Sequence, residues 1–586
     1  MPKRLFLHAL FALGINSAHA QTSNYPTHAQ VGSRLTSLAA QHKGTASVSS
    51  IGKSRGDRDI WVLTVGKGDA AKKPAVLITA GIDGTHLAGT EIALQMAEKM
   101  LASSADSVKK LLDSKTFYFI PSVNPDAQAQ YAAKPRYERH GNNTSYDEDR
   151  DGHLDEDPVE DLNNDGLITM VRVEDPTGTF VVSKDDPRVL VKADPAKGET
   201  GKYLYLTEGT DNDKDGVFNE DGPGGVAIDK NFTFDYPIFT TGAGDYAASE
   251  LETQALLRFL YTHPGIFATL TFGPANNLSE APRFDPAKVA KRILTGPLAK
   301  DATVMDQVSK LYNARTGLKD APSMPQARGN FAQTAYFHAG RFSFTTPGWW
   351  VPRIETRGDS TRRTPPSGAP NAGGAPSTTP SAPARGGGGR PGGGATGSTP
   401  APAAPATGDE DLRFLKWADR EKLTGVYTNW TPVRHPDFPD QKVEVGGLVP
   451  FAKLNPPVSY LTEAADKHLI FLTGLSGQMP EVDLVNVKTE SLGPGLSRVT
   501  ATIMNKGLLP TYAEIGDRVR FVQKVKTEVK LSNGQTITSG RRLNLRAALG
   551  AGEKEEYSWL ITGAGKVTIE AGCPTAGTKS VDVTIR

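Results

Sequence analysis

Between about Gln21 and Glu355 the chain alternates short apolar runs with longer stretches of helical period. Ala75-Val76-Leu77-Ile78-Thr79, with Gly81 soon after it, has the length and apolar content of a buried strand. Thr116 to Ile120 and Ile266 to Phe272 read the same way. Glu91 to Leu101 sets Ile92, Leu94, Met96 and Met100 at helical spacing. Ser249-Glu250-Leu251-Glu252 has the capping-box spacing and predicts a helix running to about Tyr261. Strand, helix, strand in repetition predicts an α/β domain, its largely parallel or mixed sheet covered by helices on both faces.

The pattern breaks from about Arg357 to Gly408, where Pro, Gly, Ser, Thr and Ala dominate and Gly386 to Gly389 run together. Nothing there can form a core, so 357–408 is expected to be a flexible insert. Helical spacing resumes over Asp409 to Glu421, and the stretch to about Gly477 is expected to complete the first domain, 21–477. The remainder, 478–586, has short alternating segments at Val482 to Val487, Ser497 to Ile503 and Lys566 to Glu570. Asn533-Gly534 between such segments predicts a hairpin, and the whole predicts a C-terminal all-β sandwich.

The first twenty residues change the picture of destination. Lys3 and Arg4, the apolar stretch Leu5 to Leu13 and the small residues of Ala18-His19-Ala20 occur in the order of a secretory signal. Cleavage after Ala20 and a secreted or periplasmic location are expected. The apolar stretch is short of the roughly 20 residues that span a bilayer, and no later segment approaches that length. With Cys573 as the only cysteine, no intrachain disulfide can form. Lys plus Arg number 66 against 65 Asp plus Glu, a balance that argues against nucleic acid as the main partner.

Three acidic segments repeat one design. Asp147, Asp149, Asp151 and Gly152 form the first, followed by Asp155 and Asp157. Asp161, Asn163, Asp165 and Gly166 form the second, with Thr169 after them. Asp211, Asp213, Asp215 and Gly216 form the third, with Asn219 and Asp221. Alternate oxygen-bearing side chains on a tight, glycine-containing turn are what calcium requires. The twelfth position, where a helix-loop-helix calcium hand has its bidentate Glu, holds Pro158, Arg172 and Gly222. The inserts 147–172 and 211–222 are therefore expected to be compact structural calcium loops; solvated acidic turns are the alternative.

Four further segments follow one another at telling places: Ala80-Gly81-Ile82-Asp83-Gly84-Thr85-His86, Asn124-Pro125-Asp126, Ile228-Asp229-Lys230-Asn231-Phe232 and Ser249-Glu250-Leu251-Glu252-Thr253. In this order they resemble the zinc carboxypeptidases of the carboxypeptidase A type. The resemblance implies a mixed eight-stranded sheet between helices. It also implies zinc held by a His-x-x-Glu pair and a distant His, a Glu that activates water, and an Arg that polarises the scissile carbonyl. Substrates would be peptides, or cell-wall peptidoglycan stems, cut at their C-termini.

At those places the sequence departs from the family. Asp83 and His86 stand where His and Glu would be, so they are the candidate zinc ligands. Gly273 follows the strand that should end in the third ligand, and Thr345-Thr346 occupies the place of the base. Asp229-Lys230 replaces the Asn-Arg pair that holds the substrate carboxylate, and Lys lacks the bidentate fork of Arg. Arg136 or Arg139 matches the polarising Arg, Glu250 is a candidate base, and His140, His153 and His338 are candidates to complete a metal set. For Asp83 and His86 a turn aspartate beside a helix-start histidine is the other reading. Three functions stay open: a metallocarboxypeptidase, an inactive, calcium-stabilised protein of the same fold that binds peptides or cell wall, and a surface or matrix protein in which the C-terminal sandwich does the binding.

Overall fold

The computed structural model describes residues 25–145, 147, 152–155, 157–214, 216–219, 225–322, 327–353 and 408–586. The expected signal segment, and all of the Gly/Pro insert but Gly408, lie outside them. The chain opens with helix α1 (His28–Gln41) and the hairpin β1 (Ala46–Lys53) and β2 (Asp59–Val65), then β3 (Ala75–Ala80), α2 (Leu87–Ala102), α3 (Asp106–Ser114), β4 (Thr116–Ile120) and α4 (Pro125–Ala129). Next come β5 (Met170–Glu174), β6 (Phe180–Val182), β7 (Leu190–Lys192) and β8 (Tyr203–Thr207). They are followed by α5 (Leu251–Thr262), β9 (Ile266–Phe272), α6 (Pro286–Val289), α7 (Ala299–Thr316), α8 (Phe331–Phe337) and β10 (Phe342–Thr346).

The central sheet has strand order β1-β2-β4-β3-β9-β10. β4, β3, β9 and β10 run parallel, while β2 pairs antiparallel with β1 and β4. The mixed α/β architecture is as the pattern predicts, but this sheet holds six strands among the described residues rather than eight. Strand alternation divides its side chains between two cores. Val76, Ile78 and Ala80 face α2 and α7, while Ala75 and Leu77 face α5 and α8. Each fully buried aliphatic or aromatic side chain contributes roughly 1.5–3 kcal/mol, so the two faces hold the parallel strands in place.

Further strands sit elsewhere because the segment between α4 and α5 builds its own sheet. α9 (Gly408–Arg420), β11 (Tyr427–Val433), β12 (Val443–Leu448) and α10 (Leu461–Gln478) follow the insert. β12 pairs antiparallel with β5, giving a second sheet of order β11-β12-β5-β8-β6-β7. α10 returns to pack on α2 and α7.

The C-terminal region is all β: β13 (Val482–Gly493), β14 (Leu496–Asn505), β15 (Val525–Leu531), β16 (Thr536–Ser539), β17 (Leu543–Arg546), β18 (Lys554–Thr562), β19 (Gly565–Cys573) and β20 (Gly577–Ile585). Two four-stranded antiparallel sheets, β13-β14-β18-β16 and β17-β15-β19-β20, enclose Trp559, Val529 and Ile569. The Asn533-Gly534 turn is present, with Gly534 at φ +81°. It does not close a hairpin, because β15 pairs with β17 and β19 while β16 pairs with β18. The chain turns there from one sheet into the other.

Candidate active site

The carboxyl ends of the parallel strands bring together loops far apart in sequence. Gly81 leaves β3 at φ +62° and receives Asn124 N–H on its carbonyl at 2.7 Å. Asn124 caps α4 by accepting from Ala127 N–H at 3.2 Å, and its amide donates to the carbonyl of His140 at 3.1 Å. Gly84 is pressed against this same loop: a Cβ there would lie 2.1 Å from Ala127 Cβ and 2.9 Å from the Arg139 carbonyl. The turn 83–86 and the segment 139–140 are thereby held face to face.

Asp83 Oδ1 accepts from Thr85 N–H and Oγ1–H, each at 2.9 Å, and stands 3.2 Å from His140 Nδ1. Burial works against its charge, but the His140 charge and these hydrogen bonds outweigh it and hold the carboxyl well below its usual range. His140 lies at the surface, and Asp83 raises its pKa above the ordinary histidine value. Asp229 sits near Asp83 and accepts from Phe331 N–H at 3.4 Å. Burial, and then the Asp83 charge, push its carboxyl up to about 7. Lys230 reaches back to the Thr241 carbonyl at 3.0 Å.

His86 is the N-cap residue of α2 but makes no side-chain cap. It is 2 % exposed, its Nδ1 has no hydrogen-bond partner, and burial lowers its pKa. The position expected to supply the third metal ligand has no side chain: Gly273 follows β9, and a Cβ built there meets nothing within 4 Å. At the expected base position Thr345 is buried, and its Oγ1 accepts from Asn277 N–H at 3.2 Å. A catalytic zinc needs three protein ligands beside its water. Among the described residues no group of three His, Cys, Asp or Glu side chains could hold a metal ion. Asp83 and His86 therefore do not fit a catalytic zinc.

The other candidates are dispersed. Glu250 is the N-cap residue of α5 and is committed to a buried network. Its carboxylate accepts from Asn142 Nδ2 at 2.8 Å, Thr144 Oγ1 at 2.6 Å and Ser249 Oγ at 2.8 Å, and it pairs with Arg55 at 3.2 Å. Burial opposes its charge, yet these partners hold its carboxyl below the usual range, which suits an anchor and not a base. The expected capping box does not form: Glu250, not Ser249, is the N-cap residue, and Glu252 accepts from Arg55 N–H at 3.0 Å. Arg139 bonds the Asn142 carbonyl and Asn143 Oδ1. Arg136 lies over the Tyr131 ring at 5.6 Å in a separate cleft. His338 hydrogen-bonds Thr233 Oγ1 at 2.8 Å, and His153 is exposed on the first acidic loop.

The three acidic loops share one turn. Asp147, Asp161 and Asp211 each accept, through Oδ2, from the glycine five residues on: Gly152 at 3.0 Å, Gly166 at 2.8 Å and Gly216 at 3.2 Å. Asn163 and Asp165 bond within the second loop. Asp157 is fully buried and joins the first loop to the third by accepting from Asn212 N–H at 2.9 Å and from Asn219 N–H. Asp155 Oδ1 and Asn219 Oδ1 are buried without a hydrogen-bond partner, and Asp213 is exposed. Asp149, Asp151, Asp215 and Asp221 lie outside the described residues. Sequence reasoning missed Glu208, fully buried, which gathers Leu162 N–H and Thr169 N–H at 2.9 and 2.7 Å. It also missed Asn455, which accepts from Ala88 N–H at 2.9 Å and donates to the Thr85 carbonyl at 2.8 Å. Neither belongs to a local motif that would have drawn attention to it.

Comparison with known proteins matches residues 32–166 to the zinc carboxypeptidase family and residues 481–584 to a domain family of unknown function. The chain is similar to carboxypeptidase B of Astacus astacus, 29% identical over 107 residues, 18% of this chain and 35% of that protein. It is also similar to a zinc carboxypeptidase of Saccharothrix mutabilis subsp. capreolus, 28% identical over 18% of this chain and 25% of that protein. The match thus spans about a third or less of these relatives. The structure of carboxypeptidase A from Helicoverpa armigera aligns with 55% of this chain and 64% of its own at 15% identity and a TM-score of 0.36. The matched region carries the Asp83–His86 turn and the Asn124-Pro125-Asp126 motif, and over residues 32–166 the chain is similar to the zinc carboxypeptidase family.

Proposed function

We propose that this chain is a carboxypeptidase-fold protein that has given up zinc-dependent hydrolysis and binds peptide or peptidoglycan-stem termini. One observation carries the reading: Gly273 and Thr345 stand at the ends of β9 and β10, where a metal nitrogen and a carboxylate base would be needed. Removing a positioned base alone lowers a rate by roughly 100- to 10,000-fold. What the fold retains is the rigid seat at the strand ends, now lined by the Asp83–His140 pair, Asp229 and Lys230. Asp229 and Lys230 are the ligand-facing residues of this reading.

Two further features belong to the same proposal. The acidic loops take calcium as a structural ion, supported by the turn that Asp147, Asp161 and Asp211 repeat. The protein is exported, supported by the order of charge, apolar stretch and small residues at its start. Among the described residues no helix is long and apolar enough to cross a membrane.

Elemental analysis of the full chain purified without chelator, together with a screen of C-terminally blocked and free peptides, tests this. Calcium without zinc, and peptide binding without release of a C-terminal residue, is the expected result. Near-stoichiometric zinc that disappears in a Asp83→Ala/His86→Ala variant, with peptide cleavage, would overturn it in favour of the metallocarboxypeptidase.

A further inference from the structure

Away from the Asp83 turn, a cleft of about 90 Å³ lies between the Tyr131–Arg136 segment, α9 and the loop 449–457. Its walls are aromatic: Trp417 and Phe451 are each 1 % exposed, and the Tyr131 ring meets Phe451 edge-on at 5.5 Å. Two cations line it, Arg136 and Lys422. Neither is paired with a carboxylate among the described residues, and Arg136 Nε is buried with no hydrogen-bond partner. The polar floor is fixed, because Asn455 spends its amide on the Thr85 and Phe451 carbonyls and its oxygen on Ala88 N–H.

Apolar walls with a few placed polar groups are the usual make-up of a small-molecule site. A buried guanidinium donor left without an acceptor is unfavourable, and a carboxylate satisfies it through a charge-assisted, two-pronged bond. The cleft is too small for a nucleotide, and its charge does not suit an amine. We propose that it binds a small carboxylate with an aromatic or apolar body, the carboxylate on Arg136 and Lys422 and the body against Trp417 and Phe451.

The test is calorimetric titration of the full chain with 3-phenylpropionate and with its neutral amide, 3-phenylpropionamide. Saturable binding of the acid in the millimolar range, normal for a fragment of this size, is expected. The amide should bind roughly tenfold more weakly or worse. Arg136→Gln and Lys422→Gln should each weaken the acid by about the same factor and leave the amide unchanged. Lys422 is exposed, so its variant reads the charge without disturbing the fold. No binding of the acid up to about 10 mM, equal binding of acid and amide, or binding indifferent to both substitutions would each discard the site.

Discussion

Asp83 occupies the place of a metal ligand but has its Oδ1 engaged by Thr85 and His140. Because Asp83 raises the pKa of His140, that histidine's contribution to stability is fully present below its unfolded pKa and fades as pH rises through its folded one. Asp83, held low, contributes above its unfolded pKa and loses that contribution as pH falls through its folded one. In Asp83→Asn the NMR titration of His140 should move down, and an unmoved titration would mean the pair is not coupled. Asp229 works in the opposite sense. Its folded pKa of about 7 exceeds the unfolded value, so the unfolded chain releases its proton first and stability falls between about pH 4 and 7. The side chain is only partly covered, so solvent offsets some of this cost. Asp229→Asn should stabilise the protein by about 1 kcal/mol at pH 8 and not at pH 4, read by urea unfolding at both. A gain of equal size at both pH values would contradict the assignment.

The turn between β3 and α2 is the element that decides the geometry of the site, and its limits are steric. Gly84→Ala drives a methyl into Ala127 Cβ and the Arg139 carbonyl, with an expected loss of about 2 kcal/mol in chemical denaturation. Gly273→Ala, whose methyl would meet nothing, should stay within about 0.5 kcal/mol of the parent. If the two variants behaved alike, the packing of the 83–86 turn against the 139–140 loop would be wrong. The same element scale shows where local signals held. The strands predicted over Thr116 to Ile120 and Ile266 to Phe272 occur over those residues, because an uninterrupted apolar run has only a two-sided core to enter. The capping box at Ser249 does not form: the helix begins at Leu251 with Glu250 as its N-cap residue, and Glu252 bonds the tertiary partner Arg55 N–H.

At the scale of the molecule the C-terminal sandwich is fastened to the α/β part through Asp301. Its carboxylate is 1 % exposed and accepts from Glu514 N–H at 2.6 Å, Ile515 N–H at 3.0 Å and Tyr336 Oη–H at 2.8 Å. Arg341 crosses the same seam to the Phe521 carbonyl at 3.3 Å, and Tyr261 stacks near Phe521 at 4.2 Å. Removing the Asp301 carboxylate leaves two backbone donors of the sandwich without acceptors, so Asp301→Ala should cost about 3 kcal/mol. In calorimetry one unfolding transition should divide into two, the sandwich and the α/β part melting separately. A single transition of undiminished midpoint would show that the seam is held by other contacts.

The sequence by itself determined the strands over Ala75–Thr79, Thr116–Ile120 and Ile266–Phe272 and the helices over Glu91–Leu101 and Asp409–Arg420, and which side-chain atoms are missing from the strand ends. Periodicity records burial, and in any fold Gly273 has no imidazole to offer zinc and Thr345 no carboxylate to act as a base. Tertiary structure alone decided how the remaining polar groups are used. It pairs Asp83 with His140, ties Glu250 to Asn142, Thr144 and Arg55, sends Arg136 into a different cleft, and knots two of the acidic loops through Asp157. It also turned Asn533-Gly534 from an expected hairpin into a passage between sheets. The reason is the range of the forces. A strand answers to its own residues and their burial, whereas a polar side chain or a strand edge takes the best partner within reach, and that partner is set by loops distant in sequence.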